Sequence, residues 1–543
     1  MILIRKFLSA AAVASCLAIL IASSGAAKTT VVSPVQVSSS ASPYDATCDS
    51  SDSNLTGHVF VNSTVEPQLA VGPSGNMIAM WHQDRWNNGG AHGIGVASSS
   101  DGRSWNDTTI PWDFCSDPKQ QYPALDIYFR NSDPWVSFGP DGTAYASALA
   151  FNLQAPNNDN SVAVATLPPG GTSWQNIQPV PGSVFTTFSQ STDKNSTTAD
   201  PTIAGTAYTV WDTLIEPTDN PDDNPHTCAY TGPAFFSMTK DGGATWSPAT
   251  VMVNTANRQQ TIGNVIVVAP ATATTPRTLY DFFDNITTPN TCIQGTRSSQ
   301  SVAFVTSTND GATWSQPQVI APFNSLGVID PNTGEHLRVG DGLQEVARDS
   351  VTGDLYVVWE SSSNYAKNVK QGSAAFDNEI LLTMSTDGGK TWSPTPTSID
   401  SGNPNNSAPA FTPTVAAFNH RVAITYYDSR NLQSGQMDVM PTDYWARVSG
   451  NDGLTFGPEQ RLTPVSFDMR SAPVARGFFV GDYEGLQPNG AGFEAVFVKT
   501  NCNAISSTNF TTFTGSCGPA NSNISNPQTS NMNPTDVFAM AIS

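Results

Sequence analysis

The chain has 543 residues, with 24 Lys+Arg against 45 Asp+Glu, a net charge of -21 and only 13% charged residues. That balance argues against phosphate-backbone binding, which needs clustered cations, and against an anionic membrane surface as partner. With 38% hydrophobic residues, 41 Gly and 39 Pro, the chain fits a folded, turn-rich, all-β protein.

Residues 1–27 read as an export signal. Arg5 and Lys6 precede an apolar stretch over 7–22, and small residues follow at 24–27. The expected location is secreted, extracellular or periplasmic, and no later segment reaches the length of a membrane span. Residues 28–60 form a lead, in which the strand-like stretch 30–37 could close a ring; residues 61–543 form the main domain. Beyond the signal lie six cysteines: Cys48, Cys115, Cys228, Cys292, Cys502 and Cys517. An even number in an exported chain predicts disulfides. Proximity along the chain favours Cys502–Cys517 and Cys228–Cys292. None has zinc-ligand spacing.

An octapeptide repeats through the chain: STDGGKTW at 385–392, TKDGGATW at 239–246, STNDGATW at 307–314, SGNDGLTF at 449–456, SSSDGRSW at 98–105, and a degenerate TLPPGGTSW at 166–174. The closing aromatics fall at 105, 174, 246, 314, 392 and 456. Between them run apolar-alternating segments bounded by Gly, Asp, Asn and Pro, the pattern of short strands. Some begin with an acid before a proline, as at Glu66, Asp133 and Asp200. About four strands per 70 residues, repeated seven times by this count, predict a β-propeller of four-stranded blades. A six-bladed ring with an extra sheet, or two β domains, are the alternatives.

The S-x-D-x-G-x-T-W repeats resemble the Asp-boxes of the sialidase superfamily. The resemblance implies hairpins between third and fourth strands, with Ser100, Asn309, Asp387, Asn451 and the following aromatics as fold punctuation. It places chemistry at the opposite end of the ring, at the openings of first strands and the exits of second strands. It implies a secreted sialidase-like glycoside hydrolase acting on terminal sugars of glycans. Carried onto this sequence, Asp84 falls at the acid/base position, and Tyr483 with Glu484 or Glu360 at the nucleophile and its partner. Arg85, Arg430, Trp86 and Asp428 fall among substrate-facing residues. The family's Arg-Ile-Pro motif is absent; Glu66-Pro67-Gln68 stands there.

The alternatives are a non-catalytic extracellular propeller binding glycans or proteins, and a polysaccharide lyase using His82 near Arg85. GxSxG, HExxH and P-loop motifs are absent. The expected partner is a carbohydrate, the expected state a monomer without metal or cofactor. Asp330-Pro331-Asn332-Thr333-Gly334 and Asp219, Asp222 and Asp223 read either as acidic turns or as Ca²⁺ loops.

Overall fold

The computed structural model describes residues 33–45, 48, 57–153, 159–187, 189–218, 230–288, 299–323, 325, 327–340, 343–362, 378–400, 408–501, 503–505, 512–514 and 535–543. The expected signal, the acidic stretch 219–223, and Cys228, Cys292, Cys502 and Cys517 lie outside these residues. Among the described residues there is no α-helix; one 3₁₀ turn covers Met469–Ser471.

The strands form antiparallel four-stranded units. Unit one is Val59–Val71, Met77–Trp86, Ala91–Ser99 and Asn106–Thr109. Unit two is Arg130–Phe138, Ala144–Phe151, Asn160–Leu167 and Gln175–Pro179. Unit three is Gln190–Ala199, Ala207–Ile215, Ala234–Thr239 and Thr250–Val253. Unit four is Gln259–Ala269, Thr278–Thr287, Ser299–Ser307 and Gln318–Phe323. Unit five is Gln344–Arg348, Leu355–Ser361, Glu379–Ser385 and Thr397–Ser398. Unit six is Ala410–Phe418, Arg421–Asp428, Pro441–Ser449 and Gln460–Arg461. Unit seven joins Gly485–Asn489, Gly492–Thr500 and Thr535–Ile542 to an N-terminal strand, Val35–Gln36.

The first strands touch one another in cyclic order, the seventh returning to the first. They line an axial channel of about 210 Å³, to which Gln68 of unit one, Thr197 of unit three, Glu345 of unit five and Leu486 of unit seven contribute. The fold is a β-propeller. The core lies between blades rather than within them. One cluster joins units one and two through Ile78, Val96, Tyr128 and Ala146. Another joins units four and five through Phe282, Phe304, Val357 and Trp359. The largest joins units six, seven and one through Tyr427, Phe497 and Trp81.

The octapeptides form the hairpins between third and fourth strands. In four of them a hydroxyl (Thr239, Ser307, Ser385 or Ser449) accepts the glycine N–H four residues on, at 2.9 to 3.0 Å. The Asp or Asn between accepts the N–H of Thr245, Thr313, Thr391 or Thr455. The first hairpin is one residue tighter. There Asp101, not Ser100, takes the N–H groups of Arg103 and Ser104, and Ser99 takes that of Gly102. The closing aromatics reach the preceding unit: Trp314 stands edge-on to Phe236 at 5.5 Å, and Trp392 meets Phe282 and Phe304. The Gly311 hairpin needs glycine twice over. Its φ is 78°, and a Cβ would lie 2.3 Å from the Phe236 ring.

Among the described residues the disulfide is Cys48–Cys115, closing 67 residues and pinning the lead to the segment after unit one. Replacing both cysteines with serine should lower the unfolding free energy by about 4 kcal/mol. Urea unfolding of the variant against the oxidised native chain checks this, the variant having the lower midpoint.

Candidate functional site

Five first strands carry the same irregularity. The ladder register slips between Val65/Gln68, Ser132/Trp135, Asp193/Ser196, Ile262/Val265 and Phe411/Thr414. At each slip one residue adopts positive φ: Glu66 (54°), Asp133 (51°), Lys194 (40°), Gly263 (70°) and Thr412 (50°). Pro67, Pro134 and Pro413 follow three of them. Proline has no N–H to give the ladder, so a bulge is where a strand tolerates it. At three of the bulges the freed N–H is taken by a side chain of the preceding unit. His82 Nε2 accepts from Asp133 N at 2.7 Å, Asp212 Oδ2 from Gly263 N at 2.9 Å, and Glu360 Oε1 from Thr412 N at 2.7 Å.

Three bulge side chains meet at one end of the ring. Lys194 Nζ donates to Glu66 Oε1 (3.2 Å), Asp133 Oδ1 (3.0 Å) and Asp482 Oδ2 (2.8 Å). Arg338 Nε also donates to Asp482, at 3.0 Å. Burial opposes the charge on Asp482, but Arg338 and Lys194 outweigh it and hold its carboxyl well below the usual range. Burial pushes Glu66 up to about 7 despite Lys194. Burial, then Arg85, drives His82 well below its usual value, so it is neutral. With Nε2 accepting from Asp133, its proton belongs on Nδ1, 3.1 Å from Glu66 Oε2. Glu66, His82 and Asp133 have ligand-type atoms within 4.8 Å of one another, a set that could hold a cation. The Lys194 ammonium supplies one there.

Above this cluster opens a pocket of about 310 Å³, lined by Arg85, Asp133, Asp193, Lys194, Arg338 and Arg476. Asp193 opens on the pocket but is surrounded by protein on its other sides; burial, then the Asp133 charge, raises its pKa. Arg476 is exposed, holds φ 66° and makes no ion pair among the described residues. Arg85 donates from Nη1 to Gly90 O at 2.6 Å, while its Nε has no hydrogen-bond partner. Arg85 and Arg338 both stand over the Phe479 ring, at 5.1 and 4.5 Å. Burial, then Arg338, lowers Arg85 to about 10.

Of the residues singled out from sequence, Arg85 lines this pocket and Tyr483 lies beneath it. The Tyr483 ring faces Trp135 at 5.7 Å and Lys194 Nζ at 5.4 Å. Its hydroxyl has no partner, and burial, then Asp133 and Glu66, pushes its pKa well above 10. Glu484 points the other way, as adjacent residues in an extended segment do. It accepts from Tyr427 Oη at 2.9 Å and Val498 N at 3.2 Å, so the Tyr/Glu pair here is Tyr427–Glu484, fully buried. Glu360 is spent on the Thr412 bulge and on Asn378. Asp84 is buried away from the pocket. It accepts from Ser42 Oγ (2.6 Å), Asn62 N (2.7 Å) and Gln83 Nε2 (3.0 Å), clamping the lead onto unit one.

Trp86 stacks under Arg130 at 4.2 Å. Arg430 and Asp428 pair with each other, with Glu459 and with the Trp445 indole on the outer part of unit six, and burial lifts Asp428 to about 6. Asp200, expected at a strand opening, ends the strand Gln190–Ala199 and binds Tyr208, Thr202 and Arg277. Asp330 accepts from Asn332 N in an acidic turn and from Arg470 Nε at 2.6 Å, so its carboxylate is ion-paired. Sequence reasoning missed Lys194, Asp193 and Arg476. The repeat phase holds the signal for the first two: Lys194 occupies the place of Glu66 and Asp133 in the next unit.

No family model and no curated protein matches the chain. Among solved structures it is similar to a protein of unknown function from Dyadobacter fermentans, with 11% identity and a TM-score of 0.42 over 73% of this chain and 94% of that one. It is also similar to an α-L-arabinanase from Penicillium chrysogenum complexed with arabinobiose, with 11% identity and a TM-score of 0.40 over 94% and 98%. A third is a levansucrase from B. subtilis, with 10% identity and a TM-score of 0.38 over 61% and 85%.

Two outcomes follow from the buried charges. Lys194→Met leaves three buried carboxylates without their shared cation and should cost about 3–5 kcal/mol in urea unfolding. Glu66, Asp113, Asp400 and Glu494 are each pushed up to about 7, burial being the largest cause. Between their unfolded values near 4 and that folded value, the folded chain holds more protons than the unfolded one. Their stabilisation is complete in acid and is lost as pH rises through 7. Urea midpoints measured at pH 4.5, 6 and 7.5 should fall in that order.

Proposed function

We propose that the protein is an exported glycoside hydrolase of the sialidase kind, acting on the terminal sugar of a glycan at the Arg85–Arg338–Arg476 pocket. The observation that carries this reading is the convergence of four cations and two carboxyls, Asp133 and Asp193, on one pocket. Guanidinium forks bind a carboxylate bidentately. Arg476, exposed and without an ion pair among the described residues, retains its donors for such a ligand. An acidic sugar therefore suits the pocket, whose local cations offset the chain's net charge of -21. Asp193, with its raised pKa, is the carboxyl suited to protonate the leaving group. Asp133, ion-paired to Lys194, is the anionic partner. The phenol of Tyr483 is too weak an acid in its surroundings to serve as an activated nucleophile.

The second reading is a glycan-binding propeller without turnover. It is favoured by the saturation of Asp482 by Lys194 and Arg338 and of Glu484 by Tyr427 and Val498. A lyase mechanism has less support, since the His82 imidazole is fully buried and committed to Asp133 N.

Fluorogenic sialosides and uronides, set against neutral glycosides, decide between these. Turnover of an acidic glycoside should fall at least about 100-fold in kcat in Asp193→Asn. Arg476→Ala should raise KM at least about tenfold with kcat little changed. Glycan-array binding without turnover on any substrate selects the second reading. Turnover indifferent to Asp193→Asn removes the assigned pocket.

A further inference from the structure

Between the pocket and the axial channel, on the ring axis, lies a small chamber of about 20 Å³. That is room for one water molecule or one ion. Asn195, Asn264, Gln344, Glu345 and Tyr483 line it, from the first strands of units three, four and five and from the segment before unit seven. Asn195 Oδ1, Asn264 Oδ1, Gln344 Oε1 and Tyr483 Oη have no hydrogen-bond partner. Their residues are 2%, 1%, 1% and 4% exposed. Four such oxygens at one small chamber depart from the ordinary rule that buried polar atoms are paired.

The orientation of the amides follows from their other ends. Gln344 Nε2 donates to the carbonyls of Gly263 (2.7 Å) and Phe282 (3.2 Å). Asn264 Nδ2 donates to the Asp212 carboxylate and to Thr261 Oγ1. Both amides would face acceptors with an oxygen if flipped, so their carbonyl oxygens stay unspent. Asn195 Nδ2 donates to Ser147 Oγ at 2.8 Å. Glu345 adds a carboxyl with no ion pair or hydrogen bond among the described residues. The chamber thus offers three amide oxygens, a carboxyl and a phenol oxygen, and the N–H groups of Gln344 and Asn264 are both spent elsewhere. A water molecule has two protons to share among these acceptors, whereas a hard cation satisfies all of them at once.

We propose that this axial chamber is a Ca²⁺ site, with Glu345 as its anionic ligand and Asn195, Asn264, Gln344 and Tyr483 as neutral oxygen ligands. Calcium takes six to eight oxygens from carboxylates, amides and water, in flexible geometry. Magnesium demands a tighter octahedron and keeps more of its water. Lys194 also borders the chamber, but its ammonium is neutralised by Glu66, Asp133 and Asp482 on its other side. The site ties three blades to the Tyr483 segment, and it stands whether or not the pocket above hydrolyses a glycoside.

The full mature chain tests it without an activity assay. Purified native protein should carry one equivalent of calcium by elemental analysis. Its thermal midpoint should rise by about 3 °C or more in 1 mM CaCl₂ relative to EGTA. Glu345→Gln should weaken Ca²⁺ binding at least about tenfold and lose that shift, while Glu494→Gln, a buried carboxyl outside the chamber, keeps both. Should Glu345→Gln fail to fold, calcium content and the EGTA response of the native chain still decide. No bound calcium and no response to Ca²⁺ overturns the proposal in favour of an ordered water. An equal response to Na⁺ or K⁺ overturns the choice of calcium, and calcium retained at full affinity by Glu345→Gln overturns the site.

Discussion

A four-stranded sheet that is apolar on both faces has no stable life alone, and that constraint governs this molecule. Each blade buries its faces only against its two neighbours, so the core is a series of seams around a ring. The octapeptide hairpins serve the same end. Their hydroxyl and Asx bonds hold the turn, their glycines allow the neighbouring ring to approach, and their aromatics lie on the preceding blade. The last seam is closed by Val35–Gln36 pairing with Thr535–Ile542, which leaves the seventh sheet no long bare edge on that side.

The ring also makes the site. Wedge-shaped seams bring the first strands together at the axis, and the bulges at Glu66, Asp133, Lys194, Gly263 and Thr412 turn one residue inward from each. Bulge N–H groups would be orphaned there, and His82, Asp212 and Glu360 accept them from the blade before. Polar residues at the second-strand exits are thus joints between blades first. Only where neighbouring bulges carry unlike charges, at Glu66, Asp133 and Lys194, does the same geometry concentrate a field on a pocket.

The all-β ring was legible because its punctuation is covalent in the sequence: turn residues recur at fixed phase, whatever the strands between them. Register was less legible, since the side-chain period of a strand is two and a small slip changes which face and which end a residue occupies. Asp-Pro at Asp200 precedes an apolar run and so reads as an opening. The first strand, Gln190–Ala199, is polar and without alternation, which hides Lys194. Tyr483 and Glu484 are adjacent in sequence, yet the extended backbone sends one toward the axis and the other to Tyr427. Arg476 sits in a connecting segment and carries no pattern at all. Its place is set by contacts across the ring that no local signal encodes.

The seam between Val35–Gln36 and Thr535–Ile542 has a temporal meaning as well as a spatial one. During synthesis the first blades emerge with faces that have no mate, and the ring stays open until the strand Thr535–Ile542 has left the ribosome. Completion of the seventh sheet is then the event that turns an open row of blades into a closed body.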